Sequence, residues 1–353
     1  MRNDISVKMK IRFLLGRIRH CRARHKEIDS YIEKYIGGGN KCLWSNRKLY
    51  KDTLRAKMRY GISEDEYFEA EFYRKSEFAR KESLMTFSRV PFRRNLQYIE
   101  GIEIFNDKGK MYRKYNKFLG RDWRIIDSKD SSEVQKFAEK HICFFTKPID
   151  GFGGRDIAKY DTCSKEELHQ IQSLYCGKVL LEEGITQTYS LAKLNPSSVN
   201  TLRIITLITE DGTVKIAYAI LRIGKGNNCV DNFSSGGISC RVNLEYGIIE
   251  SAIDKNNFRY VLHPETEEQL IGFRIPEWER YKEFAIQLAK EDLNMRYMGW
   301  DIVMRENGTM CMIEGNEAAG FDLQEMSCEN KGMKCYYEAL LHNDKTFNYN
   351  RFS

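Results

Sequence analysis

Two acidic residues near the carboxyl end of the sequence have the spacing of a directly opposed pair in a β-hairpin. Residues 300–305 and 309–316 have strand composition and flank Glu306-Asn307-Gly308. Asn-Gly is the strongest two-residue hairpin signal, because both central positions of a type I′ turn need positive φ. With that turn, the register places Asp301 directly opposite Glu314.

These two carboxylates would lie about 5 Å apart, measured between their Cβ atoms. Strand alternation puts Asn316 on the same face. Like charges in this position repel, and a divalent cation offsets the repulsion, since Asp, Glu and Asn supply the oxygen ligands that Mg²⁺ prefers. We therefore predict a metal site at Asp301, Glu314 and Asn316. The alternative is a solvated pair relieved by a neighbouring lysine or arginine. The remaining residues of this face are predicted to be Val303, Arg305, Met310 and Met312.

A glycine-rich segment follows an apolar strand that ends in a lysine. Lys147 ends this strand, and Gly151, Gly153 and Gly154 precede a second short strand at residues 156–159. Glycines let backbone N–H groups approach phosphate oxygens, and a lysine adds charge. The segment lacks the Gly-Lys-Ser/Thr of a Walker A loop, and a strand rather than a helix follows it. By itself it fits either a phosphate-binding hairpin or an ordinary turn.

A second strand end carries two acids and a glycine. Residues 179–182 are predicted to form an apolar strand that runs into Glu183 and Gly184. The backbone leaving such a strand can offer hydrogen bonds to the edge of an adenine ring. A simple strand end is the alternative.

Together these segments resemble the ATP-grasp superfamily, and within it the sugar-transfer-associated branch related to α-L-glutamate ligases. The resemblance covers roughly residues 95 to 325 and implies an α+β ATP-grasp fold, in which two α+β subdomains grip ATP, preceded by a helical N-terminal region. The matching segments, in chain order, are residues 106–108, 147–157, 181–187, 198–203, 233–238 and 299–316.

The resemblance also implies a role for each matched polar residue. Arg203 would face the transferring phosphoryl group and, with Lys147, would be catalytic. Two magnesium ions would be held by Asp301, Glu314 and Asn316, with Mn²⁺ as the alternative ion. The residues implied to bind ATP are Lys108, Lys147, Gly151, Gly153, Gly154, Glu182, Glu183, Ile185 and Gln187, the last of which would meet the ribose or the acceptor. The other candidates for the first phosphate ligand are Lys110, Lys114 and Lys117.

The activity implied by the resemblance is ATP-dependent ligation. A carboxylate attacking the γ-phosphoryl group brings two anions together, so Mg²⁺, lysine and arginine are needed to neutralise charge. The acyl phosphate would react with an amine to give an amide, ADP and phosphate. The acceptor would be a uronic-acid-type carboxylate in cell-surface polysaccharide biosynthesis. The alternatives are an ATP-dependent phosphotransferase acting on a sugar and a non-catalytic nucleotide-binding scaffold.

The elements that must position these residues fall into two predicted regions. Residues 1–90 are expected to be helical and basic, with Phe68, Phe72 and Ala79 on one helical face. Residues 91–345 are expected to form the ATP-grasp domain, with a lid subdomain at about 130–185 and a C-terminal metal-binding subdomain at about 186–345. Helices are predicted over residues 109–119, 131–140 and 276–292, and strands over residues 142–147, 202–209 and 214–223.

The composition is that of a globular protein with 353 residues and a net charge of +7. No apolar run approaches the roughly 18–20 residues that span a bilayer, and no signal-peptide pattern is present, so we expect a cytoplasmic protein. The first 26 residues hold nine lysines and arginines against one acid, Asp4. This basic stretch is either an ordinary surface helix or a contact with the inner membrane face or a glycosyltransferase. The excess charge fades afterwards, so nucleic acid is not an expected partner.

Overall fold

The computed structural model describes residues 24–36, 46–126, 132–149, 157–161, 166–168, 171, 179–226, 236–321, 324 and 331–349. The chain divides into two compact units. The first comprises Met1–Arg89 and Phe321–Met333, and the second comprises Val90–Gly320 and Lys334–Ser353. None of the described helices combines the length and apolar composition that crossing a bilayer requires.

The described part of the first unit is helical. Its elements are a helical stretch over residues 24–35, α1 (Asn46–Tyr60), α2 (Glu64–Glu69), a 3-10 turn (Phe72–Arg74), α3 (Glu77–Lys81) and the start of α4 (Thr86–Arg94). Phe68, Phe72 and Ala79 are all fully buried. The prediction that they share one helix is wrong, because they lie in three successive elements and the left-handed φ of +46° at Glu71 interrupts the helical path.

A four-stranded antiparallel sheet forms one part of the second unit. Its strands are β1 (Trp123–Ile126), β2 (Phe144–Pro148), β3 (Ala158–Tyr160) and β4 (Val179–Glu183), in the order β1-β4-β2-β3. The helices before and between these strands are α5 (Ile99–Asn106), α6 (Lys108–Lys114), α7 (Asn116–Leu119) and α8 (Ser132–Lys140). The single helix predicted over residues 109–119 is therefore two, which break at Tyr115.

A six-stranded antiparallel sheet forms the other part. Its strands are β5 (Thr201–Ile208), β6 (Val214–Ile223), β7 (Ile238–Val242), β8 (Ile249–Ile253), β9 (Tyr297–Met304) and β10 (Met310–Asn316), in the order β10-β9-β5-β6-β7-β8. The associated helices are α9 (Tyr189–Ala192), α10 (Trp278–Lys290) and α11 (Lys334–Leu341). Helix α10 packs on β5, β6 and β9, where Leu202, Leu221 and Ile302 belong to the same core as its Tyr281 and Leu288.

The β9–β10 hairpin differs from its predicted form at the turn. The Arg305 N–H donates to the Thr309 carbonyl oxygen at 2.9 Å, so the loop has three residues. Gly308 has a φ of +82°, whereas Asn307 is not among the residues with positive φ. The predicted two-residue type I′ turn is therefore wrong, and the register starts one residue away from the prediction, with Met312 opposite Ile302.

A β-bulge returns the pairing of β9 and β10 to the predicted register at Asp301 and Glu314. Between Met312 and Glu314 the ladder shifts by one residue at Ile313, and Asp301 pairs with Glu314. The predicted pairing is thus confirmed, although a bulge and not the turn produces it. Val303 shares the face of Asp301 as predicted, but its cross-strand partner is Cys311, so the prediction of Met310 and Met312 on this face is wrong.

Candidate functional site

Three charged residues lie side by side across adjacent strands of the six-stranded sheet. In the register of the sheet, Arg203 on β5 is opposite Asp301 on β9, which is opposite Glu314 on β10. Directly opposed residues project from the same face. Arg203 donates from Nε to Oδ1 and from Nη2 to Oδ2 of Asp301, both at 2.7 Å. The arginine and the first carboxylate therefore form a bidentate pair.

A second arginine completes the surroundings of Asp301. Arg222 Nη1 donates to Asp301 Oδ2 at 2.9 Å, and Asp301 is buried. Burial alone would raise the pKa of Asp301, but the charges of Arg203 and Arg222 hold it below its usual value. For Asp301, neighbouring arginines thus offset the repulsion between the two carboxylates.

Glu314 and Asn316 present polar atoms without partners. The half-buried carboxylate of Glu314 makes no hydrogen bond or ion pair with any described residue. Asn316 Nδ2 is buried without a partner in full hydrogen-bond geometry, although its amide lies close enough to Asp301 to help lower the pKa of that carboxyl. The described residues contain no group of three or more His, Cys, Asp or Glu that could hold a metal ion. The candidate ligand set is accordingly two carboxylates and an amide, all of which offer oxygen atoms.

The four-stranded sheet contributes a buried cluster of opposite charges. Lys147 Nζ lies 2.5 Å from Glu182 Oε2, and Arg121 Nη2 lies 3.2 Å from Glu182 Oε1. Arg121 also donates to the carbonyl oxygen of Met312 on β10 at 2.7 Å and to Tyr112 Oη at 2.7 Å. Arg121 therefore ties β4 to the strand that carries Glu314.

Burial is the largest influence on the pKa values of Lys147 and Glu182. It lowers the pKa of Lys147 to about 7, with the charges of Arg121 and Lys108 lowering it further and those of Glu314 and Asp301 opposing them. Burial also raises the pKa of Glu182 well above its usual value. Lys147 is thus within electrostatic reach of both carboxylates of the hairpin, and an added phosphate would favour its charged form.

The four candidate lysines around α6 have different environments. Lys114 pairs with Asp292 at 2.5 Å and Lys117 with Glu291 at 2.6 Å, and Lys110 is exposed. Lys108 influences the pKa values of both Lys147 and Glu182. Among the four, Lys108 is the one whose charge acts on the buried Lys147–Glu182 pair, and its role as a phosphate ligand stays a prediction.

Glu183 at the end of β4 and Ile185 just after it have different hydrogen-bond environments. The Glu183 carboxylate accepts from Arg305 Nη2 at 2.5 Å and from the Asp122 N–H at 3.0 Å, so its side chain fixes the strand end. Ile185 follows, and its backbone N–H and carbonyl make no hydrogen bond to any described residue. The sequence predicts that these groups face an adenine edge, and this role stays a prediction.

Both polar atoms of the Gln187 side chain are hydrogen-bonded to the backbone of Asn200. Its Nε2 donates to the Asn200 carbonyl oxygen at 2.6 Å, and its Oε1 accepts from the Asn200 N–H at 3.0 Å, in a buried position. Contact with a ribose or an acceptor would require these bonds to break, and they hold the backbone at Asn200, just before β5. Gly151, Gly153 and Gly154 lie outside the described residues.

Two arginines of the site are absent from the sequence-based prediction. Arg222 lies within the apolar strand Val214–Ile223, and an ionisable residue in such a strand is a signal that it has a buried partner. Arg121 precedes β1 among other charged residues and carries no comparable signal.

A family model described as sugar-transfer associated ATP-grasp matches residues 92–335. A search of curated proteins found no match. Similar solved structures include N5-carboxyaminoimidazole ribonucleotide synthetase from Thermotoga maritima, with 10% identity, a TM-score of 0.36, and coverage of 61% of this chain and 42% of that one. The biotin carboxylase domain of Hydrogenobacter thermophilus 2-oxoglutarate carboxylase, complexed with MgADP and bicarbonate, has 16% identity, a TM-score of 0.42, and coverage of 71% and 48%.

The ATP-grasp ligase PsnB, complexed with a minimal precursor, has 14% identity, a TM-score of 0.39, and coverage of 67% of this chain and 60% of that one. The chain spans less than two thirds of the length of each of these three proteins. Because identities and TM-scores are this low, nothing about activity follows from these structures. The match to the family model extends over more than half of the chain, which therefore belongs to the sugar-transfer-associated ATP-grasp family and has its α+β ATP-grasp fold.

Proposed function

We propose that this chain is a Mg-ATP-dependent carboxylate–amine ligase that forms an amide through an acyl phosphate and releases ADP and phosphate. The observation that supports this most directly is the row formed by Arg203, Asp301 and Glu314, in which one carboxylate is held by arginines and the other has no partner among the described residues. Cations that can neutralise a transferring phosphoryl group thus lie beside an oxygen ligand for a metal.

In this proposal the two sheets contribute different groups. Lys108 and Lys147 bind phosphate oxygens of ATP, and Arg203 stabilises the phosphoryl group while the acceptor carboxylate attacks it. The backbone at Ile185, after Glu182 and Glu183, receives the adenine, and Gln187 contributes by holding Asn200 before Arg203. The glycine loop, at Gly151, Gly153 and Gly154, would close over the phosphates and keep water from the acyl phosphate.

Magnesium would be held by Glu314, Asn316 and Asp301, with two ions expected and Mn²⁺ as the alternative. An ionised carboxylate has about four lone-pair positions. Asp301 uses three of them for its arginine bonds, and the nearby Asn316 amide also helps to lower its pKa. A 180° flip of the Asn316 amide exchanges the unpartnered nitrogen for an oxygen. When bound, Mg²⁺ would neutralise the phosphate oxygens.

The acceptor is proposed to be a uronic-acid-type carboxylate and the donor an amino acid or amine, within cell-surface polysaccharide biosynthesis. We also propose a cytoplasmic location, with no nucleic-acid partner. The basic stretch that would contact the inner membrane face or a glycosyltransferase falls mostly within residues 1–23, which lie outside the described residues.

A hydroxylamine trap distinguishes the ligase from the two alternatives. An acyl phosphate reacts with hydroxylamine, whereas a phosphate ester does not. With Mg-ATP, a panel of uronic acids and no amine donor, we expect a hydroxamate together with ADP and phosphate. Arg203→Ala should lower hydroxamate yield and ADP release together, because one transition state produces both. The exposed Arg124→Ala is the matched control.

Two other results would replace the proposal. A stable phosphorylated acceptor without hydroxamate identifies the sugar phosphotransferase. Tight Mg-ATP binding without ADP release, for any acid of the panel, identifies the non-catalytic scaffold.

A further inference from the structure

Glu317 carries a second unpaired carboxylate close to the proposed metal ligands. It lies in the turn that follows β10 and comes directly after Asn316. Its side chain is half-buried and makes no hydrogen bond or ion pair with any described residue. A partly buried carboxylate without a partner is unfavourable, because it has lost part of its hydration without compensation. The position therefore favours a cation supplied by a ligand.

The turn that carries Glu317 is fixed to the segment that follows α4. Gln97 Nε2 donates to the carbonyl oxygen of Glu317 at 2.6 Å and to that of Tyr297 at 2.8 Å. The Leu96 N–H donates to the Arg93 carbonyl oxygen at 2.9 Å, so the chain turns between Arg93 and Gln97. If this turn has a helical rise, the backbone of Arg93 lies about 6 Å along the chain axis from the residue that holds Glu317.

Arg93 supplies a positive charge within electrostatic range of Glu317, and both residues belong to the second unit. Its half-buried side chain likewise has no hydrogen bond or ion pair among the residues that the structure describes. Burial raises the pKa of Glu317, the charge of Arg93 opposes this rise, and the charge of Glu314 adds to it. Glu317 is thus close to a cation on α4 and to the carboxylate of Glu314 on β10.

Glu317 and Arg93 together are complementary to a ligand that carries one charge of each sign. No ion pair joins the two described side chains to each other, so both charges can bind a third molecule. At neutral pH an α-amino acid has an ammonium group and a carboxylate on the same carbon atom. A carboxylate accepts hydrogen bonds from ammonium, and a guanidinium donates two to a carboxylate. A simple amine would satisfy Glu317 and leave Arg93 without a partner.

We propose that Glu317 and Arg93 bind the amine donor and that this donor is a free α-amino acid. Glu317 accepts from its ammonium group, and Arg93 donates to its carboxylate. Because Glu317 directly follows Asn316, the nitrogen is the end of the amino acid next to the proposed metal site, where the acyl phosphate forms. This inference rests on the proposed ligase function, whose amine donor it specifies.

Binding measurements test the inference independently of turnover. The probes are the common amino acids and their carboxamides, which keep the ammonium group and lose the carboxylate. Each is titrated calorimetrically into the full chain with Mg²⁺ and a non-hydrolysable ATP analogue. We expect at least one amino acid to bind about ten- to a hundredfold tighter than its carboxamide, which corresponds to one charge-assisted hydrogen bond.

Two variants assign the two contacts. Arg93→Gln should remove the preference for the amino acid and leave carboxamide binding within about fivefold, because only a screened charge effect remains. Glu317→Gln should weaken both ligands about ten- to a hundredfold, because both carry the ammonium group. The exposed Arg94→Gln on the same helix and the exposed Glu306→Gln are the matched controls. The two variants alter different elements, so either one tests the inference if the other does not fold.

Affinity for the ATP analogue distinguishes amine binding from a role at the metal. Glu317→Gln should weaken Mg-dependent binding of the analogue by no more than about fivefold, the effect of one nearby screened charge. If the analogue loses as much affinity as the amino acid, Glu317 belongs to the metal site and the inference is overturned.

The outcomes also separate the inference from the ligase proposal. If amino-acid binding depends on Arg93 and Glu317 but no acid gives a hydroxamate, the ligase proposal fails and the amino-acid site stands. If hydroxamate forms and no amino acid binds tighter than its carboxamide, or both variants leave the preference unchanged, the inference is overturned and the ligase proposal stands. Absence of binding by every amino acid also overturns the inference.

Discussion

On the four-stranded sheet Glu182 lies between Lys147 and Arg121, whereas on the six-stranded sheet Asp301 lies between Arg203 and Arg222. Both carboxylates are buried and each contacts two cations. The pKa of Glu182 is nevertheless raised by burial, while that of Asp301 is lowered despite it. A buried carboxylate between two cations therefore has a raised pKa on one sheet and a lowered pKa on the other.

The difference follows from the charges around each carboxylate, because the charge of Glu314 adds to burial in raising the pKa of Glu182, whereas two arginines lower that of Asp301. Asp301 accepts a bidentate pair and a third bond, all at 2.7–2.9 Å, from guanidinium groups. Glu182 has one contact at 3.2 Å with Arg121 and one with Lys147, whose own pKa burial lowers to about 7. Arginine keeps its charge when desolvated and lysine does not. We infer that the Asp301 cluster is a permanent charge array, while the Glu182 cluster responds to ligands.

Removing Arg121 should give the largest effect, on stability. Arg121→Gln breaks a buried pair and leaves Glu182 with one partner, so we expect the free energy of unfolding to fall by about 3–5 kcal/mol. Denaturant unfolding measures this, with the exposed Arg124→Gln expected to stay within about 0.5 kcal/mol of the wild type. A small change for Arg121→Gln would contradict its role in tying β4 to β10.

Removing the unpartnered carboxylate should affect activity and not folding. Glu314→Gln is expected to reduce Mg-dependent ATP turnover by about 10²–10³-fold, comparable to losing one preorganised electrostatic contact. The melting temperature without nucleotide should be unchanged or higher, because repulsion with Asp301 is relieved. The exposed Glu306→Gln on the same hairpin is the control. Turnover within a few-fold of wild type in Glu314→Gln would remove the metal assignment.

Whether the Glu182 cluster responds to a ligand can be tested by measuring affinity for Mg-ADP as a function of pH. Lys147 has a pKa of about 7 in the free protein, and phosphate should raise it. Affinity for Mg-ADP should therefore be constant below about pH 7, where Lys147 is already protonated, and fall by up to about tenfold per pH unit above it, until the pKa of the complex is reached.

The control for this titration is Lys147→Arg. Arginine stays charged, so the variant should lose the part of the pH dependence that Lys147 contributes, while the ionisation of the nucleotide cancels in the comparison. Calorimetric titrations from about pH 6 to pH 9 measure both curves. Parallel curves for the two proteins would show that Lys147 does not take up a proton on binding.

The smallest expected effect concerns the turn that supports the permanent array. Gly308 has a φ of +82° and no close neighbour for a Cβ atom other than Arg280 Nη1 at 3.9 Å. Gly308→Ala should cost about 1 kcal/mol of unfolding free energy through backbone strain, and Gly308→Asn less, because asparagine tolerates this conformation. Equal costs for the two variants would argue against the left-handed turn.

Several local features could be predicted from the amino-acid sequence alone. The turn register taken from Asn307-Gly308 indicated the Asp301–Glu314 pair, although the structure reaches that pairing through a bulge, and the strand over residues 214–223 has the predicted bounds. The motifs from Lys147 to Asn316 indicated the ATP-grasp family, which the family model confirms. These features are encoded within short segments, where hydrophobic periodicity and turn residues act directly.

Which charged groups contact one another in the site depends on how the sheets pack. Neither the bulge at Ile313 nor the pairing of Lys114 with Asp292 and of Lys117 with Glu291 has a local signal. Arg121 and Arg222 contact carboxylates that are distant in the chain, Glu182 and Asp301 respectively. Whether a buried charge is satisfied depends on partners that the packing of whole sheets brings together, and one residue of register shift moves a side chain to the opposite face.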